Sequence, residues 1–193
     1  MSPAWTMTNR HRRCAGGFFL DMNLQSDDFE LFDLPKRFAQ ERPAIDARWK
    51  ALQREAHPDR FAAQGAAAQR VAMQWSVRIN EAYQRLKDPI RRAAYLCELH
   101  GAPIQAEDNT AMPAAFLMQQ MEWREALDDA ADGAAIDRLE AEVRQARGDA
   151  LDRCGELIDV RQDYAAAAGA VRGLMFIERF ALDIDRRREQ LEQ

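Results

Sequence analysis

The chain has 193 residues, 47% of them apolar and 31% charged, which is enough to bury one core or two small ones. No apolar run approaches the roughly 20 residues that span a bilayer, so we expect a soluble protein with no membrane segment. The net charge of −5 is unevenly placed: residues 1–99 carry 16 Lys and Arg against 12 Asp and Glu, whereas residues 100–193 carry 11 against 20. This asymmetry suggests two modules with different partners.

The first 26 residues form a basic segment. Residues 10–13 include three arginines and a histidine, and no acid precedes Asp21. We interpret residues 1–26 as a disordered extension. A mitochondrial targeting segment is the alternative, because such segments are basic and poor in acids.

From there on, apolar residues recur with the helical period, and no segment alternates for long enough to form a sheet. A first long helix is predicted from near Pro43, with one apolar stripe at spacings of four, three and four: Ile45, Trp49, Leu52 and Ala56. Its other face carries the basic residues Arg48, Lys50 and Arg54. His57-Pro58-Asp59 ends this helix, because Pro58 disfavours helical geometry at the residue before it.

A loop that contains Gly65 follows, and a second long helix is predicted from about Ala67 to Leu86. Its apolar stripe can pair antiparallel with that of the first helix. Asp88 then caps a further helix, with Pro89 in the first turn, that stops near residues 100–101. Residues 27–101 are therefore predicted to form an N-terminal module built on an antiparallel helix hairpin.

Residues 102–112 are polar and non-periodic, and we place a linker and domain boundary there. Three helical patterns follow: Pro113 to about Ala131, Ala134 to about Ile158 and Tyr164 to about Leu191. Because short connections favour antiparallel neighbours, residues 113–193 are predicted to form a three-helix bundle. The predicted fold class is all-α, in two modules.

The sequence lacks the signatures of an enzyme. It contains no glycine-rich phosphate loop, no His-Glu-x-x-His and no Gly-x-Ser-x-Gly motif. The three cysteines, Cys14, Cys97 and Cys154, are too few and too widely spaced for a disulfide framework or a zinc site. We predict no catalytic residue, no metal and no cofactor.

The short basic stripe leaves nucleic-acid binding as an alternative, since Arg48, Lys50, Arg54 and Arg60 could contact phosphates. However, the chain is acidic overall, and no helix-turn-helix or RNA-reading aromatic motif accompanies the stripe. A surface that faces a protein partner is the favoured interpretation, with no nucleic acid bound.

The setting of His57-Pro58-Asp59, between a basic amphipathic helix and a second long helix, is the pattern of a J-domain, the module that activates seventy-kilodalton heat-shock chaperones. INEAYQRLKDP at residues 79–89 resembles the end of a J-domain. RAAYLCELHG at residues 92–101 and FLMQQMEWREAL at residues 116–127 extend the resemblance, which covers roughly residues 29–190. On these segments the chain resembles the HscB family, the J-type co-chaperones of iron–sulfur cluster assembly.

The resemblance implies a co-chaperone that stimulates the ATPase of an HscA-type chaperone in its ATP-bound form and delivers an IscU-type scaffold to it. His57, Pro58 and Asp59 would make the activating contact. Arg48, Lys50 and Arg54 would attract an acidic surface of the chaperone. Scaffold contacts would come from seven residues of the bundle: Leu117, Met118, Met121, Glu122, Arg124, Glu125 and Phe176.

By spacing alone, a Leu and Met stripe is more typical of a bundle core than of an interface. Leu117 and Met118 are adjacent and cannot both point the same way, so we expect at least one to be exposed. We further expect a monomer in the bacterial cytoplasm, with the mitochondrial matrix as the alternative. A general J-protein with a different client is the alternative function, ahead of a nucleic-acid-binding helical protein.

Overall fold

The computed structural model of the chain describes residues 25–105 and 113–192. Within these two ranges all regular structure is helical, which confirms the all-α prediction. No helix there is long and apolar enough to cross a membrane. Nearly all of the predicted N-terminal extension and most of the predicted linker lie outside the described residues.

The six longer helices of the described ranges follow the predicted order, with three additional short elements, the five-residue helix Asp28–Phe32 among them. The α-helices are α1 (Asp28–Phe32), α2 (Arg42–Glu55), α3 (Ala66–Lys87), α4 (Pro89–Leu99), α5 (Ala114–Asp128), α6 (Gly133–Gly155) and α7 (Tyr164–Leu191). A 3₁₀ helix, Pro58–Gln64, stands where a loop was predicted. Gly65 separates it from α3, with a φ of 90° that an L side chain rarely adopts. A π-turn, Glu156–Val160, extends α6.

The N-terminal module is built on the predicted antiparallel hairpin. Ile45 and Leu52 of α2 and Ala56, which caps its C-terminal end, are fully buried. Both Trp49 Nε1 and Gln53 Nε2 donate to the Asn80 side-chain oxygen, at 3.0 and 2.7 Å. Residues near the start of α2 contact the end of α3, and residues near its end contact the middle of α3. The two helices therefore run in opposite directions.

Helices α5, α6 and α7 form the predicted three-helix bundle around an apolar core of their own. That core consists of Trp123, Ala130, Ile136, Leu139, Val143, Ile177, Phe180 and Ile184. The Trp123 ring stacks on Phe180 at 5.7 Å, and its Nε1 donates to the Glu142 carboxylate at 2.8 Å. Arg188 on α7 pairs with Asp137 near the start of α6, so these helices are also antiparallel.

The two modules share a second apolar core. Leu96 and Cys97 of α4 belong to one buried cluster with Cys154 of α6, Leu157 of the π-turn and Val171 of α7. The net charge changes sign between the two halves of the sequence, but one buried apolar cluster contains residues of both modules. The boundary at residues 102–112 stays a prediction.

Candidate functional surfaces

The end of α2 presents His57, Pro58 and Asp59 on an exposed turn. The hydroxyl of Ser76 on α3 donates to the carbonyl oxygen of buried Ala56 at 3.1 Å, which fixes the chain just before the turn. His57 then adopts an extended conformation, and Pro58 starts the 3₁₀ helix, where its missing N–H costs nothing. The turn is therefore held by the hairpin beneath it.

Within this turn His57 and Asp59 are fixed relative to each other. The Asp59 backbone N–H donates to His57 Nδ1 at 3.3 Å, and the same nitrogen lies 3.6 Å from the Asp59 carboxylate. The side chains of His57 and Asp59 are 58% and 88% exposed. An imidazole and a carboxylate so open to solvent suit a contact with a partner rather than acid–base catalysis in an enclosed site.

The three basic residues predicted to share one face of α2 do not do so. Lys50 and Arg54 are exposed on the side opposite the buried stripe. Arg48 is half-buried, and its Nε donates to the Phe32 carbonyl oxygen of α1 at 3.1 Å. The reason is helical geometry, since two residues along an α-helix amount to a rotation of about 200°. The structure therefore groups Lys50 and Arg54 with the turn and leaves Arg48 on the flank.

Arg60 contributes a further cation beside the turn. It is exposed, and its guanidinium donates to the Arg54 carbonyl oxygen at 3.2 Å, so the side chain folds back over the last turn of α2. A cation at a helix C-terminus interacts favourably with the free carbonyl groups there. Arg60 and Arg54 thus place positive charge next to His57.

A second surface covers the outer face of α5. Leu117, Met118 and Met121 are 45%, 63% and 62% exposed, and Glu122, Arg124 and Glu125 are exposed around them. The inner face of the same helix consists of Trp123, with half-buried Phe116 and Leu127 packed on the bundle core. Both Leu117 and Met118 are therefore exposed, and the Leu and Met stripe is not the core that its spacing alone favours.

Phe176 of α7 lies at the margin of this α5 face. It is half-buried, with its ring edge-on to Phe116 at 5.8 Å and stacked on Phe180 at 6.3 Å. The Arg124 guanidinium lies 5.8 Å from the Phe176 ring centre, a cation–π distance. All seven residues predicted for scaffold binding thus lie on or beside one face. Apolar side chains with a charged rim are typical of protein interfaces.

The buried titratable groups lie away from both surfaces. Burial lowers the pKa of Arg92, partly offset by the charges of Asp88 and Asp159. Burial also raises the pKa of Cys97 to about 11 and that of Cys154 to about 12. In the ranges described, no cluster of His, Cys, Asp or Glu is arranged to hold a metal ion.

Sequence reasoning missed the contact between the modules. Arg92 is 7% exposed, and the Asp159 carboxylate binds backbone amides 120 and 121 residues away. Arg92, which lies between Arg91 and an apolar run in α4, was the one available signal, and it does not identify a partner so distant in sequence.

Three comparisons with known proteins agree with one another. Residues 112–185 match the family described as the HSCB C-terminal oligomerisation domain. The chain is 51% identical over 174 residues to a co-chaperone protein HscB homolog of Burkholderia mallei, covering 89% of this chain and 99% of the relative.

Two solved structures share the fold. Chaperone HscB from Vibrio cholerae superposes with a TM-score of 0.73 at 34% identity, covering 86% of this chain and 99% of the other. The crystal structure of the human co-chaperone protein HscB gives a TM-score of 0.80 at 26% identity, covering 86% of this chain and 84% of the other.

Proposed function

The chain belongs to the HscB family of co-chaperones, and we propose that it stimulates the ATPase of an HscA-type heat-shock chaperone and delivers an IscU-type scaffold to it during iron–sulfur cluster assembly. One observation carries this proposal: the chain has two exposed surfaces on different elements. The first is the His57-Pro58-Asp59 turn at the end of α2, and the second is the apolar face of α5.

The first surface is suited to approach an acidic site on a chaperone. Lys50 and Arg54 project away from the hairpin core, and cations on the rim of an interface mainly accelerate encounter. The turn then presents His57 and Asp59 in one arrangement, because Pro58 and the Ser76 bond to Ala56 restrict its backbone. The backbone of the turn therefore has little conformational entropy to lose when the chaperone binds.

The second surface is suited to a protein client. Leu117, Met118 and Met121 offer exposed apolar area, and unbranched Met side chains adapt to a partner's shape. Glu122, Arg124 and Glu125 surround them with charges of both signs, which favours specificity for one client. Trp123 holds α5 on the bundle from the opposite side. This chain catalyses no reaction itself in the proposal, and ATP hydrolysis takes place on the chaperone.

The first test is the steady-state ATPase rate of an HscA-type chaperone with this protein, with and without the IscU-type scaffold. We expect stimulation that rises further when the scaffold is present. His57→Gln should abolish stimulation and leave scaffold binding intact, because the α5 face is on another element. If no matched chaperone is stimulated, the proposed function is wrong.

The reciprocal test replaces Met121 and Glu122 with Ala. We expect loss of scaffold binding with unchanged stimulation in the absence of scaffold. Leu182→Ala is the matched control, since Leu182 is 55% exposed on α7 and is not among the residues of the α5 face. Loss of both activities in either variant, with the fold retained, would refute the division of labour between the two surfaces.

The expected monomer stays a prediction, and the matched domain is named for oligomerisation. Sedimentation of the full chain with and without scaffold tests it.

A further inference from the structure

A polar junction joins the two modules, and neither of the two surfaces uses it. Asp159 lies in the π-turn that follows α6. Its Oδ1 accepts the backbone N–H of Phe38 at 2.6 Å, and its Oδ2 accepts that of Ala39 at 2.8 Å. Phe38 and Ala39 belong to the segment between α1 and α2. One carboxylate of the C-terminal module therefore holds two consecutive amides of the N-terminal module.

Arg92 of α4 holds the same segment from within the N-terminal module. Its Nε donates to the Phe38 carbonyl oxygen at 2.8 Å, and its Nη1 donates to that of Leu86 at 2.5 Å. Its guanidinium carbon lies 5.3 Å from the centre of the Phe38 ring. The N–H and the C=O of Phe38 are thus both bound, by side chains from different modules.

The local sequence of the π-turn accounts for the position of Asp159. Leu157 and Ile158 are buried in the shared core, whereas Val160 is 77% exposed. Gly155, just before the turn, has no side chain, and this leaves room for the Phe38 ring. A Cβ at this position would lie only 3.3 Å from that ring. The turn and the glycine together let Asp159 reach the segment that leads into α2.

This junction adds directional restraint to the shared apolar core. Apolar burial is non-directional and tolerates small rotations of one packed unit against another. Two hydrogen bonds from one carboxylate to consecutive amides are directional and charge-assisted, and so they define an orientation. The restrained segment continues into α2, which carries Lys50, Arg54 and the His57 turn. The restraining turn belongs to the bundle that carries α5.

We propose that Asp159 is a positioning residue that sets the orientation of the His57 turn relative to the α5 face, so that bound scaffold enhances stimulation of the chaperone. The proposal rests on the proposed function. Orientation matters because a protein that engages two partners at once benefits only when its geometry allows simultaneous contact. Loss of the junction should leave each contact intact and remove their coupling.

The structural test measures the distance between the modules. Spin labels are placed at Ala67→Cys on α3 and Ala141→Cys on α6, both exposed, in a Cys14→Ser background that leaves the buried Cys97 and Cys154 unchanged. We expect one narrow distance distribution by pulsed electron spin resonance. Asp159→Asn should broaden it, because the amide group offers one acceptor oxygen and turns an N–H donor towards the other backbone amide. An unchanged distribution would overturn the proposal.

The functional test compares Asp159→Asn with Asp152→Asn, a matched change at an exposed position of α6. For Asp159→Asn, the ATPase stimulation measured without scaffold and the Kd for scaffold should both stay within about twofold of wild type, because the substitution touches neither the His57 turn nor the α5 face. The enhancement by scaffold should fall at least about threefold, and Asp152→Asn should leave all three quantities unchanged.

Other outcomes count against the proposal. Retained enhancement with a broadened distance distribution would show that orientation does not matter. Loss of stimulation and of scaffold binding together would indicate general damage to the fold. If wild type stimulates the chaperone without any enhancement by scaffold, the scaffold-delivery half of the proposed function fails, and this proposal fails with it. The distance measurement still reports separately whether Asp159 orients the modules.

Discussion

The buried carboxylate of Asp28 gives the sharpest stability prediction for the N-terminal module. Asp28 is 0% exposed, and its two oxygens lie 2.6 Å from Arg78 and 2.7 Å from Arg85, both on α3. Its backbone N–H donates to the Tyr95 hydroxyl of α4 at 3.1 Å. Asp28 therefore ties α1 to α3 and α4. Asp28→Asn removes the charge while keeping the shape of the side chain.

The magnitude follows from the exposure of the two arginines. Removing one partner of a fully buried ion pair costs about 3–5 kcal/mol, because the other charge is left uncompensated. Here the Arg78 and Arg85 side chains are 20% and 40% exposed, so water stabilises part of each charge. The Arg85 guanidinium also lies 4.7 Å from the Tyr95 ring centre, so it keeps a favourable contact when the carboxylate is lost. We therefore assign the Asp28–Arg85 pair only the energy of a surface pair, about 0.5–1 kcal/mol.

The contact of Asp28 with Arg78 is an ion pair without hydrogen-bond alignment, which lowers the cost further. We expect Asp28→Asn to reduce the free energy of unfolding by about 2 kcal/mol. For a chain of this size that corresponds to a fall in Tm of about 4–8 °C.

Urea unfolding followed by circular dichroism measures the effect. Asp33→Asn is the matched control, because Asp33 is exposed at the end of the same helix in a left-handed conformation that Asn tolerates. The control should change stability by less than about 0.5 kcal/mol. If Asp28→Asn is equally neutral, the buried carboxylate does not stabilise the module and the reasoning is refuted.

Two further predictions concern the shared core and the bundle. Because burial raises the pKa of Cys97 to about 11 and of Cys154 to about 12, neither thiol should react with a thiol reagent at pH 8 in a Cys14→Ser background until the protein unfolds. Both folded-state pKa values exceed the ordinary thiol pKa of 9.0, so the two buried thiols favour the folded state in full below pH 9. This contribution to the free energy of unfolding should be lost as the pH rises through 11 to 12. Urea titrations across that pH range measure the loss. Trp123→Ala should lower the free energy of unfolding by about 3–4 kcal/mol in the same assay, because it empties a buried site and leaves Glu142 without its hydrogen-bond donor. Met118→Ala removes an exposed side chain and should lower it by less than about 0.5 kcal/mol. Equal costs for these two variants would contradict the assignment of α5's inner and outer faces.

Local signals in the sequence determined most of the helix positions. Asp88 before Pro89 predicted the start of α4, and the Asp88 carboxylate does accept the backbone N–H groups of Ile90 and Arg91. The apolar stripe from Tyr164 to Leu191 predicted the bounds of α7 as they stand in the structure. Caps and periodicity act within a few residues, so a single sequence contains them in full.

The candidate surfaces were only partly predictable. A three-residue motif between two amphipathic helices was enough to indicate the His57 turn, because the motif and its setting are contiguous. The side of α5 that faces solvent could not be predicted in this way, because Leu117, Met118 and Met121 have the apolar composition of a core. That choice depends on Trp123, whose ring packs on Phe180 from another helix. The position of Arg48 on the flank, by contrast, follows from the helical period, and only its bond to the Phe32 carbonyl oxygen of α1 depends on the tertiary structure.

Sequence alone thus determined the six longer helices, their order and the motif that suggests a chaperone partner. Only the tertiary structure decided which face of α5 is exposed, that the two modules share one core, and that Asp159 binds Phe38 121 residues away. The physical reason is the range of the interactions. Helix periodicity and capping involve neighbours along the chain, whereas burial and the contact between the modules arise only when distant segments compete for the same space.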